Sequence, residues 1–193
     1  QRASAPFGKL ACRLIAAVMP ALGLPRAKHM RWVAMTDAAI DLPAFNDEQR
    51  RHIGDITASY RRLTGRALVA GVEGDAVAAL WHAPFAIVAH GTEADPVFFF
   101  GNRVALELFE MDFATFTRLP SRFSAEPLLR EERARLLERV TRYRIIDDYA
   151  GVRVSASGRR FRITDASVWN LTDTNGAPSG QAAAFARWEH VAS

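Results

Sequence analysis

Residues 96–110, PVFFFGNRVALELFE, change their hydrophobic period midway. Val97, Phe98, Phe99 and Phe100 are β-branched or aromatic and too few for a helix, whereas Val104, Ala105, Leu108 and Phe109 recur at the spacing of one helical face. The stretch predicts strand, tight turn, helix. Gly101 supplies the bend, and Asn102 is the natural N-cap, its amide oxygen accepting from a backbone N–H one turn on. A ligand contact is the other use for Asn102. The cap is the favoured reading, because Asn is preferred at that position whatever lies nearby.

Upstream, Asn46-Asp47-Glu48-Gln49 has the composition of a capping box, with Gln49 placed to reach back to the Asn46 backbone. Ile53, Ile56, Tyr60 and Leu63 then make one apolar helical stripe, which Gly65 ends. It is short for a coiled coil and is expected to pack on its own domain. Asp75 to His82 predicts a second short helix stopped by Pro84, and Phe85 to Ala89 a strand; His90-Gly91 and Glu93-Ala94-Asp95-Pro96 turn the chain into the opening stretch. Downstream, Asp112 caps a turn holding Phe113, Phe116 and Leu119, which Pro120 ends. Residues 127–143, PLLREERARLLERVTRY, carry the longest helical pattern. Its buried face is expected to hold Leu129, Leu136, Leu137, Val140 and Tyr143, with Glu131 and Arg135, and Glu138 and Arg142, as i,i+4 pairs on the solvated side. From Ile145 the period falls to two. Val152 and Val154 alternate with Arg153, and Ser157-Gly158 makes a turn. Phe161, Ile163, Trp169 and Leu171 share one side of a long strand, and after Asn175-Gly176 the run from Gly180 to Trp188 makes the last one. Two early strands, several helices and three hairpin-linked strands define an α+β chain: an antiparallel five-stranded sheet with helices on one face, preceded by an N-terminal helix.

Length and charge narrow the function. The chain has 193 residues, enough for one domain and an extension. Six of its 25 Lys and Arg lie in residues 1–36, which hold no acid, so 19 face 21 Asp and Glu from residue 37 on, a net of −2. A domain without an electropositive surface lacks the largest contribution to nucleic-acid affinity, so no nucleic-acid partner is expected. Cys12 is the only cysteine; it forms no intramolecular disulfide, fits a cytoplasmic protein, and is expected as a small apolar residue rather than a nucleophile. Leu10 to Leu24, LACRLIAAVMPALGL, is too short to span a bilayer and is a weak secretory signal, being interrupted by Arg13 and Pro20, so no membrane partner is expected. Composition shifts between Asp37 and Phe45. We place a basic, disordered or partly helical extension at 1–44, the N-terminal helix of the domain at 45–72, and the main body of the domain at 73–190.

The order of elements, together with GNRVALELFEMDF and the turn-marked hairpins SASGRRFRI and DTNGAPSGQAAAFARW, resembles a PAS-type sensory domain. The chain is more closely similar to the MEKHLA domain, found in bacterial stand-alone proteins and at the C-terminal end of plant class III homeodomain leucine-zipper factors. HGTEADPVFFFGNRVALELFEMDFATFTRLPSRFSAEPLLREERARLLERV and IDDYAGVRVSASGRRFRITDASVWNL carry the likeness, which spans roughly Asn46 to Trp188. The literal six-letter string of the family name is absent, as are a homeodomain and a zipper, so DNA binding does not carry over. The resemblance implies a small-molecule or redox-type sensing module rather than a catalyst, with a pocket between the sheet and the helices that cross it.

Candidates for that pocket are Asn102, Trp169 and Gln181, with Arg122 and Glu126 at its mouth. Trp169 is more often core than a cofactor stack, a lone Gln181 amide in an apolar strand needs a partner that a ligand can supply, and Arg122 with Glu126 makes a plain surface salt bridge. A flavin that forms a cysteinyl adduct needs a core thiol, and Cys12 lies in the extension; haem on a helical histidine is disfavoured because no His occurs between His90 and His190. Non-covalent flavin, a small metabolite and a filled core stay open, so the cofactor is unknown. The five histidines are scattered away from metal-ligand spacing, and no GxSxG or P-loop occurs. Asp147-Asp148 are adjacent in a strand and point apart, and His90 with Glu93 reads as local turn hydrogen bonding before it reads as an acid-base pair. The expectation is a non-enzymatic sensory, ligand-binding domain that signals through a protein partner or a homodimer; the alternative is a protein-interaction module whose core is filled by its own Phe and Trp.

Overall fold

The computed structural model describes residues 42–70, 74–125 and 130–191, with only the backbone path at 130–134 and 137. The expected extension over 1–44 lies almost wholly outside the described residues, as do Cys12, the apolar run from Leu10 to Leu24, and Glu126. Elements follow in the order α1 (Asp47–Thr64), α2 (Ala76–Trp81), β1 (Ala86–His90), β2 (Phe98–Gly101), α3 (Arg103–Phe109), α4 (Phe113–Phe116), a 3-10 turn (Ser121–Ser124), α5 (Arg130–Tyr143), β3 (Ile145–Val154), β4 (Arg160–Thr172), β5 (Pro178–Phe185) and β6 (Arg187–His190).

The strands form one antiparallel sheet ordered β2-β1-β5-β4-β3, so the early pair and the three late strands share a single surface as the hydrophobic periods predicted. The last strand is divided where a single run to Trp188 was expected. The chain bends at Ala186, and β6 pairs with the first half of β4 while β5 pairs with the second. Asp165 in β4 takes φ 52° just beyond the residues that pair with β6, and Arg187 Nη1 lies 2.7 Å from its carboxylate.

That bulge reverses which side chains face which way. Before it, Phe161 packs on Phe109 of α3 with ring centroids 5.3 Å apart; after it, Trp169 meets Tyr60 of α1 at 5.1 Å and donates from Nε1 to Ile56 O at 3.3 Å. Phe161 and Trp169 therefore lie on opposite faces, not on the one side that simple alternation assigns them. An extra residue in one strand of a pair shifts the pleat by one, and side chains beyond it exchange faces.

Helix α1 covers one face of the sheet. The capping box forms as predicted, with Gln49 N donating to Asn46 Oδ1 at 2.9 Å and Asn46 N to Gln49 Oε1 at 3.0 Å, and Gly65 closes the helix at φ 69°. Ile53, Ile56 and Tyr60 are buried against the sheet, and the neighbouring His52 ring stacks on Phe99 at 3.7 Å. Ala182 and Ala184 are small residues on this face, which lets helix and sheet approach closely. At 18 residues α1, not α5, is the longest helix among the described residues. In α5, Val140 is buried as expected but Tyr143 is 58% exposed.

Candidate functional site

Opposite α1, the sheet leaves a cavity of about 670 Å³. Alternation along the strands puts Val88 and His90 of β1, Gln181 and Ala183 of β5, and Val168 of β4 on this side, with Ile163 from the stretch before the bulge. Phe109 of α3, residues 121–125 and Leu136 of α5 close over it. The cover is pinned to the sheet by backbone bridges, Val97 with Pro120 and Ala125 with Arg153. Phe98, Phe109 and Phe116 pack together beside it, with centroids 4.5 Å apart for Phe98 and Phe116 and 5.5 Å for Phe109 and Phe116.

Polar groups enter this apolar chamber at two places. Across β1, β5 and β4, His90, Gln181 and Asn170 form one cross-strand row. Gln181 donates to Asn170 Oδ1 at 3.3 Å, Asn170 donates to Val140 O at 3.4 Å, and His90 Nδ1 lies 2.9 Å from Gly91 O. At the other side, Tyr149, Gly151 and Arg153 share a face of β3, and Arg153 Nη2 donates to the Tyr149 hydroxyl at 2.9 Å. The regular pairing of Gly151 with Ile163 and of Arg153 with Phe161 puts Arg153 on the cavity side of β3.

Of the predicted site residues, Gln181 and Arg122 line the cavity. Arg122 pairs with Asp95 and stacks over Phe123 at 4.1 Å, and its suggested partner Glu126 is outside the described residues. Asn102 and Trp169 are elsewhere. Asn102 is 0% exposed and spends its amide on backbone: Oδ1 accepts from Ile87 N at 3.0 Å and Ala105 N at 3.1 Å, while Nδ2 donates to Phe85 O at 2.8 Å, Leu80 O at 3.3 Å and Ala83 O at 3.4 Å. It is the predicted cap, and it also ties the end of α2 to β1. Trp169 fills the α1 face for the reason given by the bulge. His90, Tyr149 and Arg153 are lining residues that the pattern did not single out as ligand contacts; a period-two reading of Tyr149-Gly151-Arg153 was the available signal.

Beside the cavity, Glu110 ends α3 at φ 57° and clasps the β3–β4 turn. Its carboxylate accepts from Ser157 Oγ, from Ser155 Oγ at 2.7 Å and from Ser157 N at 3.3 Å, with Arg159 at 3.2 Å. These hydroxyls, Ser157 first, hold its carboxyl below the usual range. Among the described residues no cluster of His, Cys, Asp and Glu suits a metal ion, and no helix is long and apolar enough to cross a membrane.

An antiparallel sheet with short helices closing over one face and a chamber between them defines the PAS-like class. An RNA-binding light-oxygen-voltage receptor shares the fold at a TM-score of 0.50 and 14% identity, over 61% of this chain and 34% of its own. The Cys71Ser mutant of Vivid aligns at 0.48 and 12% identity, covering 69% of this chain and 99% of that one. A PAS domain from Colwellia psychrerythraea aligns at 0.48 and 12% identity, covering 59% and 92%. Comparison with curated proteins gives no match. The model of the MEKHLA domain matches residues 50–190, and the chain belongs to that family.

Proposed function

We propose that this domain is a non-enzymatic sensor that takes a small molecule or non-covalent cofactor into the chamber between sheet and helices, and reports its occupancy to a protein partner or a second copy of itself. The observation that supports this best is the chamber: about 670 Å³ is within the usual range for small-molecule sites, and its apolar walls carry a few convergent polar groups, His90, Gln181 and Arg153. Signalling follows from the cover. Residues 121–125 and α5 lie directly on the chamber, so a ligand that packs better under one arrangement of them shifts the balance by its affinity difference between arrangements. The net charge of −2 from residue 37 on argues against a nucleic-acid partner.

Native mass spectrometry of unboiled protein tests the reading. A mass increment that denaturation removes is expected; a bare polypeptide mass under both conditions overturns it. The second result favours the interaction module instead, a reading supported by the aromatic cluster of Phe98, Phe109 and Phe116 and by Phe123, 58% exposed at the cavity rim.

A further inference from the structure

Among the described residues, Arg153 is the charged lining side chain that lies against no carboxylate. Arg122, Arg139, Arg159 and Arg187 each lie against a carboxylate, those of Asp95, Asp148, Glu110 and Asp165. Arg153 instead donates to Val152 O at 3.1 Å and to the Tyr149 hydroxyl at 2.9 Å, both neutral, and lies over the Tyr149 ring at 5.2 Å. No carboxylate among the described residues pairs with it, and Glu110 on the adjoining turn is already committed to Ser157, Ser155 and Arg159.

The guanidinium is also held in place. Gly151 sits between Tyr149 and Arg153, and a Cβ there would meet the tyrosine hydroxyl at 2.6 Å and Arg153 Nη1 at 3.2 Å. The missing side chain lets phenol and guanidinium meet above the strand, which fixes the fork with N–H groups unspent. A half-buried cation facing an apolar chamber is costly unless an anion completes it, and a planar fork suits a carboxylate best. Next to it the wall is apolar: Phe109, Ile163 and Val168.

We infer that the chamber's ligand is an organic acid, its carboxylate on Arg153 and its aromatic or aliphatic body along Phe109, Ile163 and Val168. This rests on reading the chamber as a ligand site. Two dyes with one aromatic skeleton separate the questions: 1-anilinonaphthalene-8-sulfonate carries an anionic group, and N-phenyl-1-naphthylamine lacks it. In fluorescence titrations of the full chain the sulfonate binds about tenfold to a hundredfold tighter, the range of a charge-assisted pair. Decanoate displaces it and decanol does so far less well. Arg153→Gln removes that preference while leaving the neutral dye within about twofold, and Arg153→Lys, which keeps charge but not the fork, retains part of it. Equal affinity for the two dyes in the native chain, or a preference that survives Arg153→Gln, overturns the organic-acid assignment alone. Failure of both dyes to bind overturns the chamber reading beneath it.

Discussion

Replacing Asn102 by Ala removes a side chain that holds three segments of backbone at once. Its loss leaves the N–H groups of Ile87 and Ala105 without their acceptor and the Phe85 carbonyl without its donor, all buried. Each such group costs about 1–1.5 kcal/mol when stranded, so Asn102→Ala is expected to lose about 3–5 kcal/mol. At about 2–4 °C per kcal/mol for a chain of this size, Tm falls by roughly 6–20 °C. Urea unfolding of the native chain and the variant measures it. Asn102→Asp sharpens the test, since it keeps the acceptors but points a carboxylate at the carbonyls of Leu80, Ala83 and Phe85. Burial raises that carboxyl's folded pKa above its unfolded one, so the folded state gains as pH falls and loses as pH rises through the folded value. The aspartate variant should recover in acid, where its protonated carboxyl can donate. A loss under about 1 kcal/mol for Asn102→Ala, or no acid recovery for Asn102→Asp, refutes the assignment.

Other consequences are equally direct. Glu110 has a depressed pKa, so its stabilisation is full above the unfolded-state value and fades as pH drops through the folded one; the stability gap between native chain and Glu110→Gln should shrink below about pH 4.5, and a gap that ignores pH counts against the clasp. Trp169→Phe should cost about 1–3 kcal/mol through the lost indole volume and its bond to Ile56 O, yet leave dye binding within about twofold, because the ring faces α1. Gly180 has φ 148° and a Cβ there would overlap the His90 carbonyl oxygen, whereas Gly158, at φ 81°, has open space around it. Gly180→Ala is therefore expected to cost about 3 kcal/mol or more and Gly158→Ala about 1, measured by the same unfolding curves.

Much of this architecture was legible because its signals are local. The Asn46 box, the Asn102 cap and the hairpin turns at Gly158 and Gly176 each need only a few neighbouring residues, and each forms where the pattern places it. Facing is different. Whether Trp169 meets the chamber depends on irregularities between β3 and β4, and on the switch of partner from β6 to β5, which are properties of strand pairs rather than of either strand. Strict alternation carried through Asp165 puts Trp169 on the wrong side. Asn102 shows a second gap between pattern and role: the cap was visible, but its bonds to Leu80, Ala83 and Phe85 depend on the return of a segment some twenty residues away in sequence.

The division of the sheet into a helix-packed face and a chamber face can be seen residue by residue in methyl NMR spectra recorded during titration with 1-anilinonaphthalene-8-sulfonate. Shifts should gather on Val88, Leu136, Ile163 and Val168, while Ile53, Ile56 and Leu171 stay in place. Perturbation centred on the α1 residues, or spread evenly over both sets, would contradict the account.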